Sequence, residues 1–176
     1  GLGGQLIHWP DEVVVALCQQ GFRVIRYDNR DVGLSTKLHG QRPGGALVPN
    51  LVRSYLGKPS PSVYTLEHMA DDAAALLDHL GIERAHVVGA SMGGMIAQIF
   101  AARHPDRTAA LGIIFSSNNS AFLPPPAPKA LLSLIKGPPP GSPRDVIVEN
   151  SIRVSKIIGS PGYRKSEEQL RAEAIE

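Results

Sequence analysis

One short run of small residues constrains the fold of this chain more than any other feature: Gly89-Ala90-Ser91-Met92-Gly93. An apolar segment typical of a short buried strand precedes it, and an apolar helical pattern follows it. A strand that enters a helix through a G-x-S-x-G turn bends sharply, and glycines at 89 and 93 leave room for that bend. Such a turn lifts the hydroxyl of Ser91 clear of the sheet, so we interpret Ser91 as a candidate nucleophile.

Other interpretations of this glycine turn remain. The simplest alternative is a turn whose serine only caps the following helix. A dinucleotide site requires G-x-G-x-x-G, but Ser91 stands at the middle glycine, where a pyrophosphate must approach the backbone. No acidic residue follows the apolar run 109–115, where a carboxylate would bind the ribose. The dinucleotide interpretation is therefore the weaker one.

Strand and helix patterns alternate along the first two thirds of the chain. Apolar runs predict strands over 22–27, 85–88 and 109–115. Helical spacing, N-cap residues and terminal glycines predict helices over 10–21, 51–56, 65–81 and 92–104. This alternation predicts an α/β fold in which helices cover a parallel sheet.

The composition changes near Ser120. Prolines cluster at 124–126, 128 and 138–140, and they exclude a regular sheet there. Helix starts follow at 142–145 and at 166–169, where Ser166 and Gln169 form a capping-box pattern. We therefore predict a core over 1–120 and a Pro-rich linker with a helical appendage over 121–176.

Composition and charge argue against several classes of function. The 18 Lys and Arg residues nearly balance the 16 acidic ones and are scattered, so no basic patch suggests a nucleic-acid partner. No apolar run approaches the roughly 20 residues that a membrane span requires. The single cysteine, Cys18, excludes an internal disulfide and a cysteine metal cluster. It fits a reducing compartment, so a cytoplasmic location is expected.

Three segments of the chain form a pattern when they are taken together: the glycine-rich start GLGGQ with WPDE at 9–12, VIRYDNRDVGLST at 24–36 and HVVGASMGG at 86–94. In this order and spacing they resemble the α/β-hydrolase superfamily, and in particular its aclacinomycin methylesterase-like branch. The resemblance implies that Ser91 attacks a carboxylic ester and that the N–H groups of Leu2 and Met92 form an oxyanion hole. It further implies a small-molecule ester substrate, no cofactor, no metal, and the start of a helical cap from about residue 121.

The resemblance also implies what the chain lacks. In the family, the triad acid follows the seventh strand and the histidine follows the eighth, and this chain ends within the cap before either. We interpret the chain as truncated at both ends and expect it to be inactive by itself. The family's third strand lies between 22–27 and 85–88, so both segments are expected to lack a direct partner. The isolated chain is then expected to fold poorly or to aggregate through an open sheet edge.

The resemblance also covers the turn after the first predicted strand. The residues that match the family there are Asp28, Arg30, Gly33 and Ser35. We interpret this turn as structural, because Asp and Ser side chains commonly bond the backbone of their own turn.

A serine nucleophile needs a base, so we considered each of the six histidines. His8 is the internal candidate, since it lies near the glycine-rich start. His68 and His79 are predicted to be solvated or capping, and His39 lies in a loop. His86 is predicted to lie beneath the site, and His104 at a helix C-terminus, where a cation is favoured. Two interpretations of function remain: a serine hydrolase that acts on carboxylic esters, or a catalytically inactive hydrolase-like fragment or binding module.

Overall fold

The computed structural model describes residues 4–41, 44, 47–118, 120–124, 127–139 and 141–175. The chain divides into two compact units, Gly1–Leu123 and Pro124–Glu176. The first unit contains α1 (Asp11–Gln19), α2 (Leu47–Tyr55), α3 (Leu66–His79), β1 (Ala85–Ala90), α4 (Met92–Arg103) and β2 (Thr108–Ile114). The second contains α5 (Pro128–Ile135), α6 (Arg144–Ile158) and α7 (Glu167–Ile175). Short 3-10 turns cover Leu6–His8 and Pro105–Arg107.

Helix α3 begins and ends at residues that the capping rules favour. Thr65 precedes α3 in extended conformation, and its N–H donates to Nδ1 of His68 at 3.1 Å. A hydrogen bond with Thr65 also lowers the pKa of the Glu67 carboxyl in the first turn. Gly81 follows this helix with φ of 64°, a conformation that glycine adopts without strain. The predicted helix is confirmed.

A reciprocal capping box opens α7, as the sequence predicts. Gln169 N–H donates to Ser166 Oγ at 3.1 Å, and Ser166 N–H donates to Gln169 Oε1 at 2.8 Å. The proline-rich segment before α6 contains no strand among its described residues, but it does contain α5. Pro128 lies in the first turn of that helix, where a missing N–H costs no hydrogen bond.

A parallel strand pair and the helix between them form the centre of the first unit. β1 pairs with β2 in parallel, with Val87 opposite Leu111 and Ala90 opposite Ile114, and α4 makes the crossover. A crossover helix of this kind is the usual connection between adjacent parallel strands. Segment 85–88 is expected from the sequence to lack a direct partner. This expectation is wrong for the edge of β1 that pairs with β2.

The first predicted strand, 22–27, is not a strand in the structure. This segment belongs to no ladder, although Phe22 lies against the ring of His86 with centroids 5.4 Å apart. Its apolar pattern predicts a strand, but a strand exists only where a neighbour supplies backbone hydrogen bonds. The prediction of a strand over 22–27 is therefore wrong.

The larger hydrophobic cluster lies between α3 and α4. Its buried members are Met69, Ala70, Ala74, Leu77, Ile96 and Phe100. Val87 of β1 packs against this cluster, while Val88, Leu111 and Ile113 are exposed. The second unit has its own cluster of Val148, Ile152 and Leu170. Among the described helices, none is both long and apolar enough to cross a membrane.

We predict that Leu77→Ala destabilises the first unit by about 3 kcal/mol, because it leaves a cavity in the α3–α4 cluster. Leu34→Ala is the matched control: Leu34 is fully exposed, and its truncation is expected to change stability by less than about 0.5 kcal/mol. Urea unfolding monitored by far-UV circular dichroism measures both. Equal midpoints for the two variants would contradict this assignment of the core.

Candidate active site

Ser91 occupies the single residue between the end of β1 and the start of α4. Its backbone has φ of 53° and ψ of −125°. Side chains are disfavoured in this conformation, which costs on the order of 1–3 kcal/mol and persists only where the surroundings enforce it. The structure thus has a sharp turn at Ser91, where the G-x-S-x-G pattern predicts one. Backbone strain of this kind is frequent at functional sites.

Main-chain and side-chain hydrogen bonds hold this strained residue. The Ser91 N–H donates to the carbonyl of Ile114 at 3.0 Å, which continues the pairing of the two strands by one residue. The Ser91 carbonyl accepts hydrogen bonds from the Gly94 N–H at 2.9 Å and from the Ser116 hydroxyl at 2.6 Å. Both polar main-chain groups of Ser91 are therefore anchored to neighbouring elements.

Two glycines make room for the turn. A Cβ at Gly89 would overlap the carbonyl of Gly93 and would lie 2.7 Å from the Gly94 nitrogen. A Cβ at Gly94 would lie 2.5 Å from Cβ of Ser116. The need for Gly89 and Gly94 is therefore steric. The sequence pattern draws attention to 89 and 93, whereas the structure adds Gly94.

The side chain of Ser91 does not cap the helix that it precedes. Within the part of the chain that the structure describes, Ser91 makes no side-chain capping hydrogen bond to α4, although it occupies the N-cap position. A serine that serves only as a cap would use its hydroxyl to accept from the first helical turn. The half-buried hydroxyl is therefore not used in the way that the capping interpretation requires.

Of the two predicted oxyanion donors, the N–H groups of Met92 and Leu2, the structure describes only that of Met92. Met92 is the first residue of α4, where N–H groups lack partners within the helix and the helix dipole favours negative charge. Leu2 lies outside the described residues. Among the described residues that follow Leu2, the Gln5 N–H donates to Nδ1 of His8 at 2.8 Å and the Leu6 N–H donates to Oδ1 of Asp28 at 2.7 Å.

The turn after segment 22–27 is structural, as the sequence indicates. Asp28 accepts the Leu34 N–H at 3.1 Å through Oδ2, and its carbonyl accepts the Ser35 hydroxyl at 2.5 Å. Gly33 has φ of 51°, and a Cβ there would overlap the Asp28 carboxylate. Asp31 accepts the Leu38 N–H at 2.7 Å. These bonds within the turn confirm the predicted role of its Asp and Ser residues.

Arg30 ties the same turn to α3. Its guanidinium makes a bidentate ion pair with Asp72, with distances of 2.7 and 2.6 Å, and lies 5.3 Å from the ring centroid of Tyr64. The hydrogen bond with Asp72 raises the pKa of Arg30 above its ordinary value. Both residues of the ion pair line a cleft of about 430 Å³, which Ser91 does not line.

Four of the six histidines have partners away from Ser91. His8 accepts the Gln5 N–H at 2.8 Å, and His68 accepts the Thr65 N–H. His104 lies 3.3 Å from an Asp71 carboxylate oxygen, and His86 packs on Phe22. The described residues contain no group of three or more His, Cys, Asp or Glu that could hold a metal ion.

Sequence reasoning missed the contribution of the segment after β2. Ser116 reaches the carbonyl of Ser91, and Gln98 Nε2 donates to the carbonyl of Ser117 at 2.8 Å. The signal available in the sequence is the polar run Ser116-Ser117-Asn118 directly after an apolar strand. In a parallel βαβ unit the carboxyl ends of both strands lie at the same edge, so that run was a candidate neighbour of Ser91.

A comparison with known families agrees with this geometry. The family model described as the alpha/beta hydrolase fold matches residues 1–137. The chain belongs to this family. The fold is therefore the one that the sequence predicts.

Two of the curated relatives that the chain resembles are named as a methylesterase and a putative carbamate hydrolase. The chain is 38% identical over 106 residues to rhodomycin D methylesterase DauP of Streptomyces sp. (strain C5), which covers 60% of this chain and 29% of that protein. It is 35% identical over 114 residues to the putative carbamate hydrolase RutD of Caulobacter vibrioides, which covers 65% and 34%. The chain spans about a third of the length of these curated relatives.

Solved structures share the fold at low sequence identity. A meta-cleavage product hydrolase from Pseudomonas fluorescens has a TM-score of 0.61 at 16% identity, covering 93% of this chain and 48% of that one. An esterase described as from a marine microorganism has a TM-score of 0.55 at 21% identity, covering 99% and 56%. These likenesses concern the fold alone.

We predict that Gly89→Ala destabilises the first unit by about 3 kcal/mol, because the added Cβ overlaps main-chain atoms of α4 that have no space to move. Gly112→Ala is the control in the partner strand, since its Cβ would meet only the side chain of the half-exposed Val88, whose nearest atom, Cγ2, lies at 3.3 Å. Thermal unfolding compares the two variants. A Gly89→Ala variant as stable as Gly112→Ala would contradict the close approach at Gly89.

We predict that Ser91→Gly is more stable than Ser91→Ala by about 1 kcal/mol. Both variants lose the hydroxyl, but only glycine adopts positive φ without a steric penalty, and this gain exceeds the entropy that glycine loses on folding. Urea midpoints of the two variants measure the difference. Equal midpoints would show that the backbone at Ser91 carries no strain.

Proposed function

We propose that the protein is a serine hydrolase that acts on carboxylic esters with Ser91 as its nucleophile. The observation that carries this proposal is the strained backbone of Ser91 between β1 and α4, with no hydroxyl cap to the helix. Strain of this kind is retained at functional sites when the surroundings enforce it. The G-x-S-x-G pattern and membership of the hydrolase family support the same assignment.

In the proposed reaction, Ser91 Oγ forms a bond to the ester carbonyl carbon and its proton passes to a base. The carbonyl oxygen becomes an oxyanion, which the Met92 N–H and a second donor, proposed to be the Leu2 N–H, stabilise. Collapse of this intermediate breaks the bond to the alkoxy group, which leaves as the alcohol with the base's proton. Water then attacks the acyl-serine, releases the acid and restores the Ser91 hydroxyl.

The base is proposed to be a histidine oriented by a carboxylate, with both residues outside these 176. Support comes from the histidines themselves, because four of the six have partners elsewhere in the described residues. The length of the relatives, about three times the matched segment, supports it too.

We also propose that residues 121–176, with the helices α5 to α7, belong to a cap, and that the protein is cytoplasmic.

The substrate class follows from the chemistry of the nucleophile and from the relatives. A serine alkoxide attacks an acyl carbonyl, and both relatives' names, methylesterase and carbamate hydrolase, describe cleavage at such a carbonyl. We place a carboxylic ester first because the chain is 38% identical to the methylesterase and 35% identical to the putative carbamate hydrolase. No cofactor or metal is required by this chemistry.

The second candidate is a catalytically inactive hydrolase-like fragment or binding module. It is favoured by one observation: the four histidines with identified partners engage groups other than Ser91. An inactive module would keep the fold and the strained turn but would not activate the Ser91 hydroxyl. Activation of that hydroxyl therefore separates the two candidates.

We predict that a fluorophosphonate probe labels the protein expressed from its complete reading frame, and that Ser91→Ala abolishes the labelling. The probe reacts only with an activated serine, since an ordinary hydroxyl is a weak nucleophile. Ser151→Ala is the matched control, because its hydroxyl bonds the Ile147 carbonyl within α6 and is expected to leave labelling unchanged. Labelling is quantified by in-gel fluorescence.

The outcomes separate the candidates. Labelling that survives Ser91→Ala refutes Ser91 as the nucleophile. A folded protein that is neither labelled nor able to hydrolyse 4-nitrophenyl esters supports the inactive module. Labelling lost only in Ser91→Ala, with parallel loss of ester hydrolysis, supports the proposed hydrolase.

A further inference from the structure

The segment after β2 holds the main chain of Ser91 from one side. The carbonyl of Ile114 accepts the Ser91 N–H at 3.0 Å, and the hydroxyl of Ser116 lies 2.6 Å from the Ser91 carbonyl oxygen. The same hydroxyl lies 3.4 Å from the Ser117 carbonyl. Because a serine hydroxyl has one hydrogen to donate, the shorter contact to Ser91 is the bond that matters.

The chain is bent at Phe115 to make this contact. Phe115 has φ of 36°, which is rare for a residue with an aromatic side chain, and its ring is 80% exposed. An exposed ring gains little from burial, so packing of the ring does not explain the disfavoured conformation. The bend at Phe115 brings the next residue, Ser116, within hydrogen-bonding distance of the Ser91 carbonyl.

The first turn of α4 is shaped to receive Ser116. A Cβ at Gly94 would lie 2.7 Å from the Ser116 hydroxyl oxygen, so any side chain there would displace it. Gln98 adds a second tether, because its Nε2 donates to the Ser117 carbonyl at 2.8 Å and to the Gly94 carbonyl at 3.0 Å. Two donors thus fix the segment after β2 against the start of α4: the Ser116 hydroxyl of that segment and the Gln98 side-chain amide of α4.

The bond to the Ser91 carbonyl also orients the next N–H along the chain. The Ser91 carbonyl and the Met92 N–H belong to one planar trans peptide and point in opposite directions. Fixing the carbonyl with the Ser116 hydroxyl and the Gly94 N–H therefore fixes the direction of the Met92 N–H. A hydrogen bond to the carbonyl also polarises the peptide and strengthens its N–H as a donor.

We propose that Ser116 is a positioning residue that orients the Met92 N–H toward the developing oxyanion. This inference rests on the proposed function, because it takes Ser91 as the nucleophile and Met92 as an oxyanion donor. Ser116 touches no reacting atom and acts only through the peptide that joins those two residues. Its effect is therefore expected on the transition state and not on substrate binding.

The test uses Ser116→Ala in the protein expressed from its complete reading frame, with 4-nitrophenyl butyrate as substrate. We expect kcat to fall about tenfold, less than the full loss of an oxyanion donor, with KM within about twofold of the parent. An alkyl trifluoromethyl ketone serves as inhibitor, because Ser91 Oγ adds to its carbonyl carbon and an oxyanion forms. We expect its inhibition constant to rise by the same factor by which kcat/KM falls.

Ser35→Ala is the matched control. It removes a comparable half-buried bond, in which a serine hydroxyl donates to the Asp28 carbonyl at 2.5 Å, but this bond does not touch the peptide 91–92. A merely structural role predicts that both variants lose similar stability and keep similar kcat. Ser116→Cys serves if Ser116→Ala does not fold, because the thiol preserves the shape but donates weakly, and an intermediate fall in kcat is expected.

The outcomes separate this inference from the proposed function. Fluorophosphonate labelling that survives Ser91→Ala overturns the proposed function, and the positioning role with it. Labelling that requires Ser91, together with a Ser116→Ala variant whose kcat and inhibition constant match those of Ser35→Ala, overturns the positioning role alone. A fall in kcat and a weaker ketone complex in Ser116→Ala only, at equal thermal stability, support it.

Discussion

The peptide between β1 and α4 carries a backbone conformation that a side chain normally avoids, and much of the surrounding structure serves to keep it there. Parallel pairing of the two strands places the Ile114 carbonyl where the Ser91 N–H meets it. The missing side chains of Gly89 and Gly94 let α4 begin directly against the strand ends. Removing any one of these contacts would let Ser91 relax, because its own conformation is not favourable.

A second, separate set of bonds stabilises the turn that begins at Asp28. Its carboxylate bonds the turn and also the Leu6 N–H, so the residues after the glycine-rich start are tied to the same point. The ion pair of Arg30 with Asp72 then joins this turn to α3, which packs on α4 in the larger hydrophobic cluster. This set of bonds is separate from the strand pairing and the Ser116 contact that hold Ser91.

Local patterns were the reliable part of the sequence. The capping residues Thr65 and Ser166, the terminal Gly81 and the bonds within the turn at Asp28 all act over a few residues, so their spacing in the chain is enough to predict them. The segment 22–27 shows the limit. Its apolar pattern is that of a strand, but ladder hydrogen bonds come from a neighbour distant in sequence, and no described segment pairs with it.

The amino-acid sequence alone determined the class of fold, the place of the sharp turn and the identity of the candidate nucleophile, because these depend on side-chain size and on periodicity within a dozen residues. Only the tertiary structure decided what holds Ser91 in its disfavoured conformation. Ser116 lies 25 positions away, and its hydroxyl meets the Ser91 carbonyl only because the parallel register brings both strand ends to one edge. A contact of that separation depends on how strands align and how α4 packs, which local residue patterns do not encode.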